Sequence, residues 1–275
     1  DLDTLQVGVW LKKKLGIKLI YDAHEIFGYM ISRSMPKFII NISFKFEKVL
    51  IRYVDHVITV NEPLKTFFSK MVSRPIEIVM NCGELVNDKY VPPNNNIFTL
   101  GYFGVLDRSR KFPDIIDIIG EIKNIRFVIA GKRENLYQEV KRKCEKYSNI
   151  IFLGSIPYSE AIRRTFECDA IICLMDPKDK NSQVGLPNKV FEGMLAGRPI
   201  LVSKNLYYSK LVEKEKCGLT VEYESDEAIK DSIIKLRDNS ALCRKLGENG
   251  LKAAVREYNW KKQEKKLIGV YEGLM

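Results

Sequence analysis

Residues 184–203 read VGLPNKVFEGMLAGRPILVS, a helix followed at once by a buried strand. Pro187 suits the first turn of a helix, where its missing N–H is not needed. Gly197 suits a left-handed cap at the far end, and Pro199 opens the strand PILVS. The neighbouring runs AIICLM (170–175) and LTVEY (219–223) are also short and apolar. So are KLIYDA (18–23), HVITV (56–60), PIEIVM (75–80), FTLGYFGV (98–105), RFVIAG (126–131) and IIFLG (150–154). Most are continuous apolar runs, which suits strands buried on both faces of a parallel sheet. Amphipathic segments lie between them, at 113–122, 136–147, 159–167, 187–197 and 225–239, with a long tract from Ser240 to Tyr258. Strand–helix alternation at this spacing means βαβ units and an α/β fold.

A boundary is expected at VPPNNNIF (91–98), where two prolines and three asparagines continue neither a helix nor a central strand. Downstream, residues 97–256 hold six strands, enough for a complete Rossmann-like domain with a parallel sheet. Upstream, residues 1–92 hold three strands and read as a partial second Rossmann-like domain. The chain opens on Asp1 without an initiator Met, so the start of that domain is expected to be absent. Residues 257–275 read as a terminal helix, with Trp260, Leu267, Val270 and Tyr271 as its apolar stripe.

Composition narrows the function classes. Of 275 residues, 45% are hydrophobic and 29% charged, as in soluble globular proteins. No apolar run approaches the roughly 20 residues that cross a bilayer. Six cysteines at 82, 144, 168, 173, 217 and 243 include no Cys-x-x-Cys pair, and the only histidines are His24 and His56. Scattered ligands of this kind do not make a zinc site. Reduced, buried thiols are expected instead, and with them a cytoplasmic location. The formal net charge of +10 attracts polyanions: nucleic acid, acidic lipid headgroups or phosphorylated small molecules. The lysines are scattered along the chain, and no nucleic-acid-binding motif or aromatic platform accompanies them. Peripheral contact with an anionic membrane face is the expectation that remains, beside an ordinary solvated surface. The Asp-x-Asp form of Asp1-Leu2-Asp3 precedes a helix-like run, so Asp3 or Thr4 reads as an N-cap rather than a metal ligand.

Chemistry concentrates in three places. The helix opening at Pro187 would present backbone N–H groups and its positive dipole end at the carboxyl edge of the sheet, where doubly wound folds bind phosphate. Lys189 and Glu192 lie three apart on one face of it. A lysine for phosphate and a carboxylate for ribose hydroxyls suit a nucleotide, although the same spacing fits a surface ion pair. The loop of LGYFGVLDRSRKFPDII (100–116) adds the cations Arg108, Arg110 and Lys111. The third place is His24, at the end of the strand in KLIYDAHE (18–25).

These motifs resemble the retaining glycosyltransferases of family 4 (group 1), with the GT-B architecture of two Rossmann-like domains. LPNKVFEGMLAGRP is similar to one branch's "LPNK-(V/L)-FE-x-M-A-x-G-x-P", and the resemblance brings Leu186, Pro187, Lys189 and Glu192, with the preceding Gly185, in as substrate-binding residues. Glu192 matches the second glutamate of the family's Glu-x7-Glu pattern, which holds the donor ribose. The first glutamate falls at Val184 and is missing. The loop matches "G-x-L-x-x-x-(K/R)" with Arg110 at the basic position; Arg110 and Lys111, with Arg108 nearby, would neutralise the departing diphosphate. FEKVLIRYVDHVITVNEPL (46–64) matches the acceptor-side domain, with Asn61 where serine is usual, and His24 aligns with a histidine that faces the donor across the cleft. The resemblance implies a metal-independent enzyme of polysaccharide biosynthesis without a cofactor. Its donor would be a UDP- or GDP-sugar and its acceptor a glycan or a lipid-linked saccharide. A non-catalytic nucleotide-sugar binder and a GT-B sugar-nucleotide epimerase are the alternatives. Sugar, base, acceptor and oligomeric state are not written in these motifs.

Overall fold

The computed structural model describes residues 2–133 and 136–275. In chain order the first elements are α1 (Leu2–Leu15), β1 (Ile20–Ala23), α2 (Phe27–Met30), α3 (Lys37–Leu50), β2 (His56–Thr59), α4 (Glu62–Ser69) and β3 (Ile76–Ile78). Then come β4 (Phe98–Phe103), α5 (Asp114–Gly120), β5 (Ile125–Ala130), α6 (Tyr137–Cys144), β6 (Ile150–Gly154), α7 (Tyr158–Glu167) and β7 (Ala170–Cys173). The remainder is α8 (Lys180–Val184), α9 (Asn188–Ala196), β8 (Ile200–Ser203), α10 (Tyr207–Glu215), β9 (Gly218–Val221), α11 (Asp226–Arg237), α12 (Ser240–Arg256) and α13 (Trp260–Glu272).

Two compact units divide the chain. One gathers Asp1–Cys82, Lys180–Leu186 and Trp260–Met275; the other gathers Gly83–Asp179 and Pro187–Asn259. The proline- and asparagine-rich stretch at 91–98 therefore lies inside the second unit, and the chain passes between units at Cys82–Gly83. Segment 180–186 joins the first unit through a bond that the sequence did not announce. Asn61 caps α4, its Oδ1 accepting from Leu64 N (3.0 Å), while its Nδ2 donates to Val184 O (2.8 Å).

The second unit holds a six-stranded, wholly parallel sheet in the order β6-β5-β4-β7-β8-β9. In chain order within the unit these are strands 3-2-1-4-5-6, the doubly wound arrangement. The order reverses between β4 and β7, which pair through Leu100 with Ala170 and Gly101 with Ile171. All four residues of β7 and of β8 are buried, as central parallel strands require. Leu100, Phe127, Ile172 and Leu201 pack with Ile115, Ile119, Ile229 and Ile233 of α5 and α11 in the larger core.

The first unit carries the parallel sheet β1-β2-β3. Val57, Tyr21 and Ala23 pack against Leu5 and Val9 of α1, Leu50 of α3 and Phe68 of α4. Val270 of α13 packs with Ile58 and Val79, accompanied by Trp260 and Leu267, whereas Tyr271 is exposed and leaves the expected stripe. α1 begins at Leu2, which puts Asp3 and Thr4 within its first turn rather than at a cap; Asp1 lies outside the described residues. No disulfide joins the six cysteines, five of which are buried. No helix among the described residues is long and apolar enough to cross a membrane.

Candidate donor site at the sheet switch point

The two strands that flank the switch point deliver the candidate residues to one place. β4 ends at Phe103 and runs through Gly104 (φ +155°) into a 3-10 turn over Arg108–Arg110. Asp107 caps that turn, its carboxylate accepting from Ser109 N at 2.8 Å. β7 ends at Cys173. α9 starts beside it, with Pro187 at its N-cap and no side chain capping its first N–H groups. Pro187 thus precedes the first turn instead of occupying it. Gly197, at φ +65°, closes the helix as a left-handed cap.

Lys189, Glu192 and Arg110 converge here. The Lys189 ammonium lies 5.0 Å from the centroid of the Tyr102 ring, a cation–π contact. The Arg110 guanidinium is within hydrogen-bonding reach of the Tyr102 hydroxyl, which itself donates to Val105 O. Phe112 packs on the same ring, 4.6 Å between centroids. Glu192 is within hydrogen-bonding reach of the Tyr158 hydroxyl, at the start of α7. Burial pushes the Cys173 thiol up to about 11, while Lys189 and Arg110 pull it down and Glu192 pushes it up. All three charges therefore act on the end of β7.

Burial sets the electrostatics of the group. Desolvation lowers the Lys189 pKa, and the Arg110 charge lowers it further. Desolvation raises the Glu192 pKa, opposed by Lys189 and by the Tyr158 bond. Two cations and one carboxylate, each half-buried, leave a net positive charge at this place suited to a second anion.

The other two loop cations turn elsewhere. Lys111, at φ +65°, places its ammonium 2.9 Å from Asp226 Oδ1 and donates to Tyr223 O at 2.9 Å. Arg108 is exposed, with Glu139 3.5 Å away. Of the three expected phosphate contacts, the structure brings only Arg110 to Lys189 and Glu192. Gly185 and Leu186 belong to the first unit with α8, and Val184 packs against that unit's core. Nothing in the motif spacing points to Tyr102 or Tyr158.

His24 follows β1 in the first unit. Its Nδ1 lies 3.0 Å from Asn81 Nδ2 and its Nε2 lies 3.2 Å from Asp22 Oδ1. The Asp22 bond raises its pKa against the opposing effect of burial. A cavity of about 310 Å³ adjoins it, lined by Leu2, Glu25, Phe27 and Met30. Among the described residues no three of His, Cys, Asp and Glu gather as a metal ion would need.

Known proteins resemble the chain in sequence and in fold. An uncharacterized glycosyltransferase of Methanocaldococcus jannaschii is 25% identical over 247 residues, 83% of this chain and 61% of that protein. The chain thus spans less than two thirds of that relative. The putative glycosyltransferase EpsD of Bacillus subtilis is 25% identical over 269 residues, 89% of this chain and 67% of its own length. Among solved structures, sucrose-phosphate synthase from Thermosynechococcus elongatus superposes with a TM-score of 0.79 at 16% identity, covering 99% of this chain and 72% of that one. Anabaena HepE in complex with UDP-glucose superposes with a TM-score of 0.79 at 15% identity, covering 100% and 77%. At such identities the likeness is one of fold, and the fold is GT-B. The family of glycosyl transferases group 1 matches residues 88–253, well over half of the chain and the whole convergence of Arg110, Lys189 and Glu192. The chain belongs to the glycosyl transferases of group 1.

Proposed function

We propose that the chain binds a nucleoside-diphosphate sugar and transfers its sugar to a glycan or lipid-linked acceptor with retention of configuration, as a family 4 enzyme. The observation that carries this reading is the meeting of Lys189, Arg110 and Glu192 at the switch point of the six-stranded sheet. Doubly wound sheets bind ligands at that point, outside the carboxyl ends of the strands. Glu192 accepts from the ribose hydroxyls, Arg110 and Lys189 hold the diphosphate, and the first N–H groups of α9 add their dipole. The bond that breaks joins the anomeric carbon to a diphosphate oxygen. The acceptor hydroxyl attacks from the face the diphosphate leaves, and the departing phosphate takes the hydroxyl proton. Charge developing on that phosphate is what the two half-buried cations stabilise. The UDP-glucose bound to HepE supports a nucleotide-sugar donor; the donor proposed here is a UDP- or GDP-sugar, used without a further cofactor.

Calorimetric titration with UDP, GDP, ADP and dTDP tests the reading beside Glu192→Ala. Tight binding of one diphosphate, lost in the variant, is expected; equal affinity in both proteins would defeat the assignment of Glu192.

One observation favours a second reading, nucleotide-sugar binding without transfer. Val184 stands where the family's first glutamate is expected, and its side chain is packed against the core of the first unit. Release of nucleoside diphosphate from the nucleotide sugar over time, with a glycan or lipid-linked acceptor present to take the sugar, separates the two readings.

A further inference from the structure

Helix α3 is turned inside out. Its inner stripe is Ser43, Glu47 and Leu50, and Glu47 is 0% exposed. Its outer face carries Phe38 (63% exposed), Ile42 (58%), Phe46 (39%) and Val49 (53%). At 100° per residue these four fall within an arc of about 80°, and Lys45 stands at its edge, about 20° beyond Phe38. From Met30 to Tyr53 the cations are Arg33, Lys37, Lys45, Lys48 and Arg52, all exposed, while the sole carboxylate is the buried Glu47. At the end of this stretch Tyr53 meets Lys13 of α1, whose ammonium lies 4.1 Å from the ring centroid.

We infer that the outer face of α3 is a docking surface for an anionic lipid bilayer, with Phe38, Ile42, Phe46 and Val49 entering the interface and the surrounding cations meeting acidic headgroups. An apolar face flanked by lysines and free of exposed carboxylate is the pattern of a helix lying in a membrane interface. Charge separates a bilayer from a protein partner: five exposed cations and no exposed carboxylate between Met30 and Tyr53 complement a layer of acidic headgroups. Lys45, at the edge of the apolar arc, lays its stem along it with its ammonium at headgroup level. The inference uses residues of the first unit only and stands apart from the donor-site reading.

Flotation of the whole chain with lipid vesicles tests it. Vesicles of phosphatidylcholine alone are compared with vesicles carrying about 30% phosphatidylglycerol, a membrane of strong negative surface potential. Partitioning should be at least about tenfold stronger on the anionic vesicles and weaken steeply with salt. Phe38→Ser with Ile42→Ser should reduce it a further tenfold or so at low salt, since two interfacial side chains are lost. Lys45→Glu with Lys48→Glu should do likewise. These side chains are exposed, so melting temperatures should stay near that of the parent; if the double serine variant fails to fold, Phe46→Ser alone serves in its place. Equal flotation on neutral vesicles, or full binding by the serine variant, would overturn the inference. So would a dimer in sedimentation that the serine variant disperses, which would give the face to a second copy of the chain.

Discussion

The ammonium of Lys189, in the first turn of α9, is seated over the ring of Tyr102, the penultimate residue of β4. One aromatic side chain organises both cations of the candidate donor site. Its face holds Lys189, its hydroxyl lies within hydrogen-bonding reach of Arg110, and Phe112 backs the ring. Positive charge is held in place at a half-buried position before any ligand arrives, which is the kind of preorganisation that stabilises a developing anion.

The first prediction concerns protons. Burial and Arg110 depress the Lys189 pKa in the unliganded protein, and a bound diphosphate would raise it. Between those two values binding must take up protons, so affinity should fall as pH rises through this range. Burial raises the Glu192 pKa, so affinity should also fall as pH drops through that value and the carboxylate is protonated. A bell-shaped affinity profile is expected, with buffer-dependent calorimetric enthalpies on its alkaline limb. Lys189→Met should weaken binding by roughly 10- to 100-fold, the range for hydrogen bonds between charged groups, and remove the buffer dependence. A flat proton balance in the parent protein would refute the account of Lys189.

Neighbouring cations should behave differently. Arg110→Met should lower nucleotide affinity about tenfold or more and change stability little, because the guanidinium faces the site. Lys111→Met should instead cost about 1–2 kcal/mol of stability, since it removes the ammonium held by Asp226 and Tyr223 O, and leave affinity within about twofold. Thermal melts and titrations of both variants, run side by side, would show the reverse pattern if Lys111 were the phosphate ligand.

Gly104 provides a structural check on where Lys189 sits. A Cβ at residue 104 would stand 2.2 Å from Lys189 Nζ and 2.9 Å from its Cε, and φ there is +155°. Gly104→Ala should displace the ammonium and weaken nucleotide binding about tenfold. In a Lys189→Ala background the same substitution should have little further effect on affinity, because the contact it disturbs is gone. Additive losses in the double variant would place the ammonium elsewhere.

The fold was legible in the sequence where burial is complete. β7 and β8 are wholly buried and stand in the sequence as unbroken apolar runs, and Gly197 and Pro199 mark the end of α9 and the start of β8 as read. Short helices with little apolar content were not legible. α8, KNSQV, shows no periodicity, and its place in the first unit depends on Asn61, more than a hundred residues away. α10 buries Tyr208, Ser209 and Val212, a faint i, i+4 signal that could have revealed it. At the site, motif spacing named Arg108, Arg110 and Lys111 alike. Only tertiary structure separates them, because the partners of Lys111 lie at 223 and 226. Tyr102 was hidden for a similar reason: it reads as one more apolar strand residue until Lys189 is seen on its face.

The inner face of α3 yields the last prediction, one of stability. Glu47 Oε1 accepts from the Tyr21 hydroxyl at 2.7 Å, while Oε2 is buried with no hydrogen-bond partner among the described residues. Burial raises the carboxyl pKa, against the effect of the Tyr21 bond. The folded state therefore binds this proton more tightly than the unfolded chain does. The cost of burying the charge is absent below the unfolded carboxyl pKa, grows as pH rises from that value to the folded one, and is complete above it. Glu47→Gln keeps an acceptor for Tyr21 and removes the charge. It should stabilise the protein by about 1 kcal/mol at pH 7, net of its own unpaired amide, with a rise in melting temperature of roughly 2–4 °C for a chain of this size. Thermal melts across pH should show that gain shrinking and then reversing as pH falls through the carboxyl range. A variant less stable than the parent at pH 7, or a gain that does not vary with pH, would mean that Glu47 is not a buried charge.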